Sequence, residues 1–127
     1  MVNMTRFPGG VLDANAVEKT SAYTVVSNTD AGKTFYIKSS VTFTLPAIAI
    51  GNTFTFVYAG NDAEATLTLS PNASDGISYI GSATDDKDLI LTQATAKRGD
   101  YVTLASLDQT VAWQVTAARG IFAKEAA

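Results

Sequence analysis

Thr53–Tyr58 reads TFTFVY, and the alternation in these six residues decides the fold class. Successive side chains of an extended strand point to opposite faces, so Phe54, Phe56 and Tyr58 share one face and Thr53, Thr55 and Val57 the other. Three rings on one face predict core, and threonine suits a solvated face. The device recurs in Val41-Thr42-Phe43-Thr44-Leu45 and Ala65-Thr66-Leu67-Thr68-Leu69. Further strands are predicted over residues 22–27, 34–38, 77–80, 88–92, 101–107 and 111–116. Turn formers such as Gly51-Asn52, Gly60-Asn61-Asp62 and Ser74-Asp75-Gly76 separate them. Helical periodicity is nearly absent. The expectation is an all-β domain over residues 21–127: an antiparallel β-sandwich, with a jelly-roll arrangement as one option and strand order open.

Residues 1–20 read differently. Phe7-Pro8-Gly9-Gly10 interrupts any regular element, and no period of two follows it. This segment is predicted to be an extended N-terminal arm. Met4, Phe7, Val11 and Leu12 give it apolar anchors that could dock on a neighbouring chain; a frayed or locally packed terminus is the plainer alternative.

Composition narrows the function. The chain has 127 residues, 46% hydrophobic and 17% charged, enough for one core without staples. A net charge of −3 gives no attraction to phosphate backbones or anionic lipid, so neither nucleic acid nor membrane is an expected partner. Cysteine and histidine are absent. That removes disulfides, thiolate zinc sites and the two commonest acid/base and nucleophilic side chains, so catalysis, metals and cofactors are not expected. Lack of cysteine and of an apolar leader-like run suits a cytosolically made protein.

Several motifs look like chemistry. Asp30-Ala31-Gly32-Lys33-Thr34 ends like a phosphate-binding loop, but Ser27 stands where the earlier glycine belongs, and a strand follows instead of a helix. A plain hairpin turn is expected. Asp85, Asp86 and Asp88, with Asp75 as a further carboxylate, could offer oxygen ligands to calcium, yet the spacing does not match the known long loop, and a solvated loop is favoured. Trp113 alternates with Val111 and Val115, which predicts core, with Ala112, Gln114 and Thr116 outward. Arg98-Gly99-Asp100 spells a tripeptide that integrins read on exposed loops. Between two strand-like runs it is better explained as a bend with a glycine of positive φ, so Asp100→Glu is expected to leave folding nearly intact.

The wider context carries a resemblance. Residues 94–104 (ATAKRGDYVTL), then Trp113-Gln114-Val115 and Arg119-Gly120-Ile121-Phe122, together with upstream residues 45–56 (LPAIAIGNTFTF) and 69–77 (LSPNASDGI), resemble small β-rich virion structural proteins of tailed bacteriophages. The resemblance runs from about Thr34 to the end. It implies a capsid decoration, or cement, protein on the outer surface of the head, often a homotrimer, with the major capsid protein as partner. A tail fibre or spike module recognising a host surface is the alternative. For the first role the expected contact residues are Met4, Arg6, Phe7, Val11 and Leu12 of the arm.

Overall fold

The computed structural model describes residues 15–79, 85–107 and 112–125. These contain eleven strands: β1 (Ala16–Glu18), β2 (Tyr23–Thr24), β3 (Thr34–Ile37), β4 (Val41–Thr44), β5 (Thr53–Tyr58), β6 (Leu67–Ser70), β7 (Ile77–Ser78), β8 (Leu89–Leu91), β9 (Tyr101–Ala105), β10 (Trp113–Arg119) and β11 (Phe122–Lys124). One sheet has the order β1-β3-β5-β9-β10-β7 and the other β11-β8-β6-β4-β2. The fold is an all-β sandwich, as the alternation predicts.

The predicted alternation places the core. Phe54, Phe56 and Tyr58 of β5, Phe35 and Ile37 of β3, Phe43 of β4, and Leu67 and Leu69 of β6 are all buried, while Thr42 and Thr44 face solvent. Rings from the two sheets meet directly: Phe43 lies 4.9 Å from Phe56 and 5.5 Å from Phe35, centroid to centroid, and Phe35 stacks on Phe56 at 5.7 Å. Each such ring contributes about 2–3 kcal/mol by leaving water. Trp113 is core as expected, packed 5.4 Å from Phe54.

The pairing differs from the antiparallel expectation. Among the described residues five pairings are parallel (β1 with β3, β3 with β5, β2 with β4, β4 with β6, β7 with β10) and four antiparallel. Mixed sheets of this kind also depart from a jelly roll. The physical reason lies in the route of the chain. From β1 to β8 successive strands alternate between sheets, so the next strand in each sheet arrives after a passage through the other one. That passage supplies the crossover which parallel neighbours require. Thr34-Phe35-Tyr36-Ile37 thereby stacks on Thr55-Phe56-Val57-Tyr58, and Val41-Thr42-Phe43-Thr44 on Leu67-Thr68-Leu69-Ser70.

Three local expectations also change. Ala16–Glu18, within the segment read as an arm, pairs with β3 as the edge strand of its sheet. Ala112, expected outward, is buried. The bond pattern of β10 slips between Val115 and Ala117 opposite Thr103 and Leu104, a bulge that resets which side chains face inward along the strand. Lys124 on β11 closes the flank of the sandwich, its Nζ donating to the carbonyls of Ile77 at 2.8 Å and Lys87 at 3.2 Å. Burial lowers the pKa of Lys124, against the opposing charges of Asp88 and Glu125.

The loop with the phosphate-binding look is a turn between sheets rather than a hairpin. Asp30 is buried, and its carboxylate accepts from the Val26 N–H at 2.8 Å, the Tyr23 hydroxyl at 2.8 Å and Lys33 Nζ at 2.9 Å. Burial opposes its ionisation, but these hydrogen bonds and the Lys33 charge outweigh burial and hold the carboxyl below its ordinary pKa. Tyr23 is pushed the other way, chiefly by donating to Asp30, then by burial and by the Asp30 charge. A lowered carboxyl pKa stabilises the fold above its unfolded value and loses that contribution as pH falls. A raised tyrosine pKa stabilises below its unfolded value and loses it as pH rises. Thermal melting followed against pH should therefore weaken below about pH 4 and above about pH 10, and Asp30→Asn should flatten both limbs. Asp30→Ala should cost roughly 3 kcal/mol by orphaning buried donors.

Candidate functional site

Strand directions sort the connections to the two ends of the sandwich. One end gathers the segments around residues 38–40, 59–66, 92–100 and 119–121. The other gathers those around 25–33, 45–52, 71–76 and 106–107.

The Arg98-Gly99-Asp100 turn sits at the first end and is built into the fold. The Asp100 N–H donates to the Lys97 carbonyl at 3.0 Å, closing a β-turn with Gly99 in third position at φ +94°, where a type II turn needs it. The turn is clamped to β5, since Gly99 N–H donates to the Tyr58 carbonyl and Tyr58 N–H to the Asp100 carbonyl, both at 2.8 Å. Asp100 is 3% exposed, and its carboxylate accepts from the Lys97 N–H at 2.9 Å. An integrin needs this carboxylate free, so the turn cannot serve as that signal.

Arg98 is directed elsewhere. Its Nε donates to the Gly60 carbonyl at 3.2 Å and its guanidinium to Asn61 Oδ1, while its backbone N–H donates to Asp62 Oδ1 at 2.9 Å. It lines an open, polar cleft of about 530 Å³ with Lys38, Ala59, Gly60, Asn61 and Glu64. Behind the cleft, the buried Tyr58 hydroxyl donates to the Asn61 carbonyl and accepts from the Glu64 N–H at 3.3 Å. Gly60 has no spare room, because a β-carbon there would lie 3.0 Å from the Lys38 carbonyl oxygen. The arrangement can hold a polar or anionic group.

The opposite end is apolar at its tips. Val26, Ile50 and Leu107 are 46%, 61% and 66% exposed, and the fourth large exposed hydrophobic among the described residues, Ile121, lies at the cleft end. Backbone and side-chain bonds join the three tips into one platform. The Gly51 N–H donates to the Ser106 carbonyl at 3.0 Å, and Asn28 and Asn52 are bonded to each other twice. β1 also starts at this end, since Ala16 pairs with Thr34 at the start of β3. β1 thus begins at the end that carries the apolar tips.

The predicted contact residues Met4, Arg6, Phe7, Val11 and Leu12 lie outside the described residues. Of the acidic group, Asp75 accepts from the Ile48 N–H at 3.1 Å and its carbonyl from the Asp86 N–H at 2.8 Å, while Asp88 and Glu125 bond to each other. Among the described residues no three of His, Cys, Asp or Glu converge, and no helix is long and apolar enough to cross a membrane. Sequence reasoning missed the tips and the cleft. An isoleucine directly before Gly51-Asn52 and a leucine directly before Asp108 were the available signals for the tips. No family model matches this chain, and no curated protein matches it.

Asp100 packs tightly against Gly120, where a β-carbon would fall 2.7 Å from Asp100 Cγ at a φ of +124°. There is no room for another methylene, so the tolerance of Asp100→Glu expected from a turn alone does not hold. Asp100→Glu and Gly120→Ala should each lower stability by roughly 2 kcal/mol, seen as a fall of several degrees in Tm. The unaltered protein should not compete with an integrin-binding peptide.

Proposed function

We propose that this protein is a non-catalytic decoration protein of a tailed-bacteriophage head, binding the outer surface of the capsid across major capsid protein subunits. The reading is carried by one observation: the apolar tips Val26, Ile50 and Leu107 lie at the end of the sandwich where β1 begins. An arm bearing Met4, Arg6, Phe7, Val11 and Leu12 then works together with a rigid apolar platform. Exposed apolar tips clustered on one end mark an interaction site. A protein that bridges shell subunits needs such contacts and no chemistry, and repetition on a symmetric lattice multiplies weak ones. Two motifs that resemble binding chemistry, at Asp30 and Asp100, are occupied by internal hydrogen bonds, which fits a scaffold.

The cleft formed by Lys38, Asn61, Glu64 and Arg98 favours a second reading, a fibre or spike module that holds an anionic glycan of a host surface. Co-sedimentation with bare heads of the parent phage separates the two. Under the decoration reading the protein adds to heads and raises their resistance to heat, and Ile50→Asp/Leu107→Asp or removal of residues 1–14 reduces binding at least tenfold. Arg98→Ala leaves it unchanged. Failure of the intact protein to bind bare heads would sink the decoration reading, and loss of host-cell adsorption on Arg98→Ala would support the second.

A further inference from the structure

The outer faces of the two sheets differ. On the sheet formed by β11, β8, β6, β4 and β2 the outward positions are mainly threonine and serine: Thr24, Thr42, Thr44, Thr68 and Ser70. On the other sheet, registered neighbours on β1, β3, β5, β9 and β10 form one transverse row, Glu18–Tyr36–Val57–Tyr101–Arg119. Their sequence neighbours Phe35, Ile37, Phe56, Tyr58 and Val102 are buried, so the row faces outward. Tyr36, Val57 and Tyr101 are half-buried, and Glu18 and Arg119 are exposed. Two residues along the strands lies a second row, Ala16–Thr34–Thr55–Thr103–Ala117, in which the hydroxyls of Thr55 and Thr103 are 3.0 Å apart.

Both rows read nearly the same in either direction about β5. The first runs acid, tyrosine, valine, tyrosine, base; the second alanine, three threonines, alanine. A surface that matches its own reversal is what a two-fold interface needs, because there residue i meets j while j meets i. We propose that this face pairs with the same face of a second copy of the chain, about a two-fold axis parallel to β5. Face-to-face sheets pack about 10 Å apart. In that arrangement Val57 meets Val57 of the second copy, Tyr36 meets Tyr101, and Glu18 meets Arg119 at both ends.

Charge selects this partner. Glu18 and Arg119 stand about 19 Å apart, four strand spacings, and neither is in an ion pair among the described residues. A copy turned by the two-fold brings each within reach of its opposite, whereas a copy related by simple translation across the strands would not. The tyrosines supply large, rigid contact area at low entropic cost. The pairing stands independently of the capsid reading, and it leaves both ends of the sandwich clear.

Sedimentation across a range of concentrations tests it with the full chain. The unaltered protein should form a dimer. Glu18→Arg places Arg against Arg at both rims, and Arg119→Glu places Glu against Glu, so each alone should weaken the dimer roughly tenfold or more. Mixing the two variants restores opposite charges at both rims and should recover a heterodimer near the parent affinity. In this cysteine-free chain Val57→Cys should also be joined to its counterpart by a bis-maleimide whose spacer spans about 8–10 Å, the separation expected between stacked sheets, while Thr42→Cys on the opposite face should not. A monomer at all concentrations, a trimer, a mixture that fails to associate, or Val57→Cys that the bis-maleimide leaves unlinked would each overturn the proposal.

Discussion

The contact of Phe35, Phe43 and Phe56 across the gap between the sheets governs the rest of the structure. These three rings come from strands that follow one another through the core, two from one sheet and one from the other. To bring them together, the chain must cross the core between β3 and β4 and again between β4 and β5. That crossing makes β3 and β5 parallel neighbours, and likewise β4 and β6. Core packing therefore dictates topology here, because no local turn preference selects it: Lys38–Ser40, the short link between β3 and β4, has a length that would equally suit a hairpin.

A chain that keeps changing sheets spends its polar side chains on the changes. Asp30 secures the passage from β2 to β3, Asn52 the passage into β5, and Asp100 the passage into β9. All three are buried. A buried carboxylate or amide is tolerated only when its bonds are made, so each is committed to backbone amides and neighbouring side chains. This commitment explains why two motifs that look like ligand sites are structural. Among the described residues the features left to carry function are apolar tips at one end, a polar cleft at the other, and one sheet face lined by tyrosine.

Much of this was legible in the residues. Period-two alternation in TFTFVY, VTFTL and ATLTL identified β strands, the core face and the solvated threonine face, because those depend only on local geometry and side-chain hydropathy. Trp113 was assigned to the core by the same rule. Strand β1 was not visible, since only Val17 packs inward and its hydrogen bonds go to a strand eighteen residues further on. Parallel pairing was not read either, although its signal is present. Phe-Tyr-Ile above Phe-Val-Tyr and Val-Thr-Phe-Thr above Leu-Thr-Leu-Ser is a repeat of rungs, recognisable once repetition rather than alternation is sought.

Sequence alone thus determined that the chain folds as a β-sandwich and which side chains fill it, because burial follows from the alternation of each strand. The tertiary structure decided how strands pair, where Arg98 and Asp100 point, and which residues stand side by side on a face. Glu18 and Arg119 are about a hundred positions apart in the chain, and Tyr36, Val57 and Tyr101 lie between them with no shared periodicity. Only hydrogen-bond register across five strands sets them in one row, and register is fixed by the packing of the whole core rather than by any one segment.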